Sequence, residues 1–148
     1  MKSLALLYMA AGKSSRFGGE PKMLCKLGKN DETLFELSIM QLKKYIDVTH
    51  IHMVVNKDNK DIIMEEVRKV NDKYNICKKI TYNIQEIPTI RSKPWGTADA
   101  AASAWNDMKT AFLMLNSDDL YSEETFKMIA QECDTTKNYV VGFKLGTT

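Results

Sequence analysis

Glycine and proline are scarce, 7 and 3 among 148 residues, so the chain is neither collagenous nor a low-complexity linker. Cysteine is scarce too. Cys25, Cys77 and Cys133 are odd in number, far apart and without a C-x-x-C pair. That pattern supports neither a disulfide framework nor a zinc site, and fits reduced thiols in a cytoplasmic protein. Long hydrophobic runs are missing, and no segment approaches the ~20 apolar residues of a membrane span. Neither sign of charge dominates, with 21 Lys+Arg against 19 Asp+Glu. The two signs are interleaved, which leaves no broad footprint for nucleic acid or an anionic membrane. A local anion site survives that argument, because a few placed cations do not show in a total. The N-terminal Lys2–Ala11 run has one positive charge and an apolar stretch at the low end for a secretory leader. It flows directly into Gly12-Lys13-Ser14-Ser15-Arg16 and is read as a strand entering a polar loop.

What is present suits one globular domain. The chain is 44% apolar and 27% charged, and a length near 150 buries about 70% of the surface an unfolded chain exposes. Short apolar runs alternate with helical patterns. Leu4–Met9 reads as a buried strand, followed by a polar loop to about Asp31. Thr33-x-x-Glu36 is a capping box, after which Phe35, Ile39, Leu42 and Ile46 recur at helical spacing. Ile51–Val55 is a second strand and Asp58 to Tyr74 a second helix. Ile80–Ile84 is a third strand. Thr97 is expected to cap an alanine-rich helix reaching about Met108. Ala111–Leu115 is a fourth strand, Ser122 caps a fourth helix, and Tyr139–Phe143 is a fifth strand. Alternating strands and helices imply an α/β fold, a three-layer α/β/α sandwich on a mainly parallel, Rossmann-like sheet. Parallel strands put Gly12–Lys22, Gln85 and Asn116-Ser117-Asp118-Asp119 after strand ends on one rim, where open α/β sheets bind ligands.

The first loop, Ala10-Ala11-Gly12-Lys13-Ser14-Ser15-Arg16-Phe17-Gly18-Gly19, runs on to Pro21-Lys22. Small residues let backbone amides approach an anion, and Arg16 and Lys22 add permanent cations, a combination suited to a polyphosphate. A Walker A would need Gly where Leu7 stands, and a dinucleotide fingerprint would need Gly at Ser14 and Phe17, so both patterns fail.

The stretch M-A-A-G-K-S-S-R-F-G-G-E-P-K resembles the signature loop of the sugar-phosphate nucleotidyltransferases, A-A-G-x-G-[ST]-R followed by P-K. Two later segments agree in order. Lys93–Ala101 (K-P-W-G-T-A-D-A-A) is similar to that family's G-T-A segment, and Leu115–Tyr121 (L-N-S-D-D-L-Y) to its strand ending in a metal-binding Asp. Val141–Leu145 is also similar to a strand of the group. The resemblance implies that Arg16 contacts the β- and γ-phosphates of a nucleoside triphosphate and Lys22 the reacting phosphates. It implies that the nucleotide is held at Ala10, Ala11, Gly12, Ser14, Ser15, Gln85, Gly96 and Thr97, with Gln85 reading a pyrimidine base. Asp118 is implied to bind Mg²⁺.

The implied reaction joins a nucleoside monophosphate from UTP or dTTP to a sugar 1-phosphate with release of pyrophosphate. The alternatives are a cytidylyltransferase acting on a phosphate such as phosphocholine, or a non-catalytic nucleotide-binding module. Expected partners are therefore a nucleoside triphosphate and a phosphorylated small-molecule acceptor, with a homo-oligomer possible in a complete protein. The chain departs from the pattern at Ser14, where the family has a second glycine, and at Glu20, which places negative charge beside the loop. Family members usually continue further, so residues 1–148 are expected to be a single nucleotidyltransferase domain representing the nucleotide-binding half. His50 and His52 lie two apart on one strand face. With no third ligand nearby in sequence, they are expected to be structural.

Overall fold

The computed structural model describes residues 1–13, 18–93, 95–142, 144 and 146. Its elements are β1 (Lys2–Met9), a 3-10 turn (Lys22–Leu24), α1 (Leu34–Leu42), β2 (Ile46–Val55), α2 (Lys60–Tyr74), β3 (Ile80–Ile84), α3 (Thr97–Ser103), β4 (Phe112–Asn116) and α4 (Glu123–Glu132). The strands form one sheet in the order β3-β2-β1-β4, and every pairing is parallel. The expected α/β class and parallel sheet are what the structure shows.

Local chemistry places the helix starts. The Thr33 hydroxyl accepts from the Glu36 amide at 3.1 Å, and the Ser122 hydroxyl from the Thr125 amide at 3.3 Å, each satisfying a donor that the first helical turn leaves open. Helix α2 starts two residues later than expected, because residues 57–59 form a turn closed by Asn56.

Alternation along the strands decides the layers. Leu4, Leu6 and Tyr8 of β1 join a large core with Phe35, Ile39 and Leu42 of α1, Ile63 and Val67 of α2, and Phe126 and Ile129 of α4. On the opposite face Leu7 and Val54 pack with Ala100 and Ala104 around α3. This follows from strand order. The path β1-β2-β3 steps one way along the sheet, whereas β3 to β4 returns past β1, so a crossover of the same hand puts α3 on the other face. One short helix covers that face incompletely, and Phe112 and Met114 of β4, which pair with Ala5 and Leu7, stay 45% and 46% exposed.

Two expectations need correction. Residues 139–142 of the expected fifth strand are not in a strand, and Phe143 lies outside the described residues. The Tyr139 hydroxyl accepts from the Asp134 amide at 3.1 Å, which folds this segment on itself, and Val140 is 96% exposed. A short apolar run carries no signal that separates a strand from such a return. Helix α3 ends at Ser103 and not near Met108. Its N-cap is Gly96 and not Thr97, and from Ala104 onward the chain turns through i to i−3 bonds such as Trp105 to Ala102 at 3.1 Å.

Candidate functional site

The order β3-β2-β1-β4 reverses between β1 and β4, and ligands of open α/β sheets bind where the strand ends diverge at such a reversal. Met9, the last residue of β1, pairs with Val54 of β2 and with Asn116, the last residue of β4. The Ser117 amide then donates to the Met9 carbonyl at 3.2 Å. The loop after β1 and the Ser117–Asp119 segment therefore leave one edge side by side. On the other flank, Val55 pairs with Ile84, and the Gln85 amide donates to the Val55 carbonyl at 2.8 Å. Within the described residues, the three segments expected on one rim begin at that same rim.

Ala10 and Ala11 are buried, while Gly12 and Lys13 are exposed. The loop is anchored by residues that the sequence reading missed. Asn56 Nδ2 donates to the Ala11 carbonyl at 3.1 Å and Asn59 Nδ2 to the Ala10 carbonyl at 2.9 Å. The two asparagines also brace each other. Asn56 Oδ1 accepts from the Asp58 and Asn59 amides at 2.9 and 2.8 Å, and Asn59 Oδ1 accepts from the Asn56 amide at 3.0 Å. The visible signal was an Asn pair at a strand-to-helix junction, where Asx turns form. Further along, Lys13 Nζ donates to the Ser92 carbonyl at 2.9 Å, tying the first loop to the segment before Gly96. Ser14, Ser15 and Arg16 lie outside the described residues. Lys22 is half-buried at the start of the 3-10 turn, whose Met23 is fixed in the main core.

Gln85 and Gly96 do meet. Gln85 is buried, and its Nε2 donates to the Gly96 carbonyl at 3.3 Å and to Asp99 Oδ2 at 2.6 Å. Gly96 has φ +119° and open space where a Cβ would stand, a backbone state that favours glycine. Thr97 is exposed at the first turn of α3.

Asp118 and Asp119 are both exposed at the end of β4. Asp119 is engaged by Asn116 Nδ2 at 3.0 Å, and the Asp118 carboxylate has no such partner among the described residues. The loop that carries them is closed by Tyr121, whose hydroxyl accepts from the Asn116 amide at 2.9 Å and whose ring packs edge-on against Phe126. Burial pushes the Tyr121 hydroxyl above its ordinary pKa, and the nearby Asp119 and Asp118 charges add to that. Among the described residues no group of three His, Cys, Asp or Glu side chains could hold a metal. Mg²⁺ commonly takes one or two carboxylates plus phosphate oxygens and water, so a single open Asp118 fits such an ion when a triphosphate supplies the other ligands.

His50 and His52 lie away from this rim in a polar chain. His50 Nε2 and His52 Nδ1 both meet the Thr81 hydroxyl, His52 Nε2 meets Asn83 Oδ1 at 2.7 Å, and Asn83 Nδ2 donates to the Ser103 hydroxyl at 2.8 Å. Every ring nitrogen named there has a side-chain partner, in keeping with the expected structural role. Cys25, Cys77 and Cys133 are unpaired thiols. No helix among the described residues is long and apolar enough to cross a membrane.

Residues 6–144 match the MobA-like NTP transferase domain. No curated protein gives a significant match. Among solved structures the chain is similar to a UDP-glucose pyrophosphorylase complexed with UDP-glucose, with TM-score 0.61 and 15% identity over 88% of this chain and 52% of that one. It is also similar to an apo UDP-glucose pyrophosphorylase, with TM-score 0.56 and 15% identity over 81% and 48% of the respective chains. The chain thus spans about half the length of these structures.

Proposed function

The chain belongs to the family of MobA-like NTP transferase domains, and from that premise we propose that it transfers a nucleoside monophosphate from UTP or dTTP to a sugar 1-phosphate, releasing pyrophosphate. The observation that carries this reading is the pairing of Met9 with Asn116 at the strand-order reversal. It sets the small-residue loop beside an open carboxylate, which is the arrangement a magnesium triphosphate needs. The UDP-glucose held by one of the similar structures supports a nucleotide-sugar as product.

In the proposed reaction an acceptor phosphate oxygen forms a bond to the α-phosphorus. The bond from that phosphorus to the bridging oxygen breaks, and pyrophosphate leaves with the electron pair. A phosphate monoester has its second pKa at ~6, so the nucleophile is already anionic at neutral pH and no general base is required. The protein's work is positioning and charge neutralisation. Backbone amides of Ala11 and Gly12 line the triphosphate, whereas the expected Ala10 amide is already given to the Val54 carbonyl at 2.8 Å; Arg16 grips the outer phosphates, and Lys22 meets the reacting ones. Asp118 would hold Mg²⁺, which supplies further neutralisation of the phosphate oxygens when bound. Free thiols favour the cytoplasm as the compartment.

The test is pyrophosphate release from each nucleoside triphosphate against a panel of sugar 1-phosphates, with phosphocholine as a non-sugar acceptor. Release with UTP or dTTP and a sugar 1-phosphate supports the reading. Release only with CTP and phosphocholine, or triphosphate binding without release under any pairing, overturns it.

A further inference from the structure

Gln85 can present either end of its amide to a ligand, and the structure decides which. Both groups that receive Gln85 Nε2, the Gly96 carbonyl and the Asp99 carboxylate, are acceptors. A carbonyl and a carboxylate cannot donate, so the NH₂ end must face them and the oxygen must face away. Gln85 Oε1 then has no hydrogen-bond partner among the described residues, and Gln85 itself follows the end of β3 on the rim. Asp99 sits in the first turn of α3, 14 residues beyond Gln85. Its own backbone neighbour Ala100 is locked in the core behind α3, so the clamp is attached to a fixed element.

We propose that Asp99 is a specificity-positioning residue: by capturing the amino end of Gln85 it leaves only an acceptor for the base, and so selects uracil over cytosine. The proposal rests on the reading of this rim as the nucleotide site and specifies how the base is chosen there. The reading edge of uracil has a donor, N3–H, between two carbonyl oxygens. At the same place cytosine has a bare ring nitrogen, an acceptor. Placed opposite N3, the fixed Oε1 gives uracil a hydrogen bond, whereas it sets the bare N3 of cytosine against an oxygen, and cytosine reaches Oε1 with its N4 amino group only by shifting in the site. A glutamine free to turn over would serve both bases, offering its oxygen to one and its NH₂ to the other.

The experiment is calorimetric titration of the 148-residue chain with UTP and with CTP in magnesium buffer, for wild type, Asp99→Asn, Asp99→Glu and Gln85→Ala. The expected wild-type preference for UTP is about tenfold or more, the scale of one matched hydrogen bond set against one repulsive pair. In Asp99→Asn the new side-chain amide can donate to Gln85 Oε1, the glutamine can turn over, and the preference should collapse to within about threefold. Asp99→Glu keeps an acceptor-only partner and should retain the preference. Gln85→Ala should remove the preference while leaving residual binding through the phosphates. Partial unfolding of a variant raises both apparent dissociation constants by the same factor, so the UTP-to-CTP ratio stays readable. If wild type binds both nucleotides and Asp99→Asn keeps the wild-type ratio, the clamp is refuted and the nucleotide site stands. A wild-type preference for CTP also refutes the clamp. If wild type binds neither nucleotide, the reading of the rim itself falls, and the clamp with it.

Discussion

Asn56 separates the stability of the rim from its use. Its side chain makes three hydrogen bonds: Nδ2 to the Ala11 carbonyl at 3.1 Å, and Oδ1 from the Asp58 and Asn59 amides at 2.9 and 2.8 Å. Asn56→Ala removes all three. At a net value near 1 kcal/mol each, with water replacing part of the loss at this half-buried position, the cost is about 2 kcal/mol. That corresponds to a fall in Tm of roughly 4–8 °C for a chain of this size. Asn56→Asp keeps both acceptor bonds, and its charge near the start of α2 recovers about 0.5 kcal/mol. It loses only the bond to Ala11, where one carboxylate oxygen now opposes a carbonyl, and the net cost is about 1 kcal/mol. The aspartate variant should therefore melt above the alanine variant. Triphosphate binding should rank the other way, because aspartate repels the Ala11 carbonyl out of its seat and adds negative charge beside the loop. Thermal melts paired with UTP titrations give both rankings. If the aspartate variant binds UTP as tightly as the alanine variant, the Ala11 anchor has no part in shaping the nucleotide loop.

Lys22→Ala is expected to lower the rate of pyrophosphate release far more than UTP affinity, and Asp118→Asn to remove the magnesium dependence of UTP binding; unchanged rates or unchanged magnesium titrations would strike the residue concerned from the mechanism. Burial, with the Lys79 and His52 charges, holds the His50 imidazole below its ordinary pKa against a smaller opposing effect of Asp107. The unfolded chain then takes up a proton that the folded one resists, so stability should fall as pH drops below about 6.5. His50→Gln should flatten that fall, as read from urea midpoints at neutral and mildly acid pH, and an equal fall in both proteins would discard the assignment. At lower pH Glu36 takes over. Burial acts to raise its pKa, but hydrogen bonds from Lys73 Nζ at 2.7 Å and the Tyr74 hydroxyl at 2.8 Å outweigh burial and lower it. Its stabilisation is complete above the ordinary carboxylate pKa near 4.3 and is lost as pH falls through the depressed value. Glu36→Gln should remove that acid limb of the stability curve. Phe126 is wholly buried, and Phe126→Ala should cost about 3–5 kcal/mol, measurable by urea unfolding, while an effect under about 1 kcal/mol would show that α4 is not held by this ring.

Features set within a few residues could be read from the chain itself. The Thr33 and Ser122 caps each satisfy an amide three positions on, so the pattern and the bond are the same local fact. The alternation of short apolar runs with helical periodicity determined four strands, their parallel sense and the rim on which Ala10–Gly12, Gln85 and Asp118 come together. Residues 139–142 resembled a strand because an apolar run looks the same whether it pairs or turns back, and only packing distinguishes the two. Strand order also belonged to the tertiary structure. The reversal between β1 and β4 is chosen by which helix covers which face, a contest among residues about a hundred positions apart. The asparagine anchors under Ala10 and Ala11 and the Asp99 hold on Gln85 depend on that order. A hydrogen bond across 14 or 45 residues leaves no periodicity in the sequence, because its partners are brought to 2.6 or 3.1 Å only when the sheet closes around them.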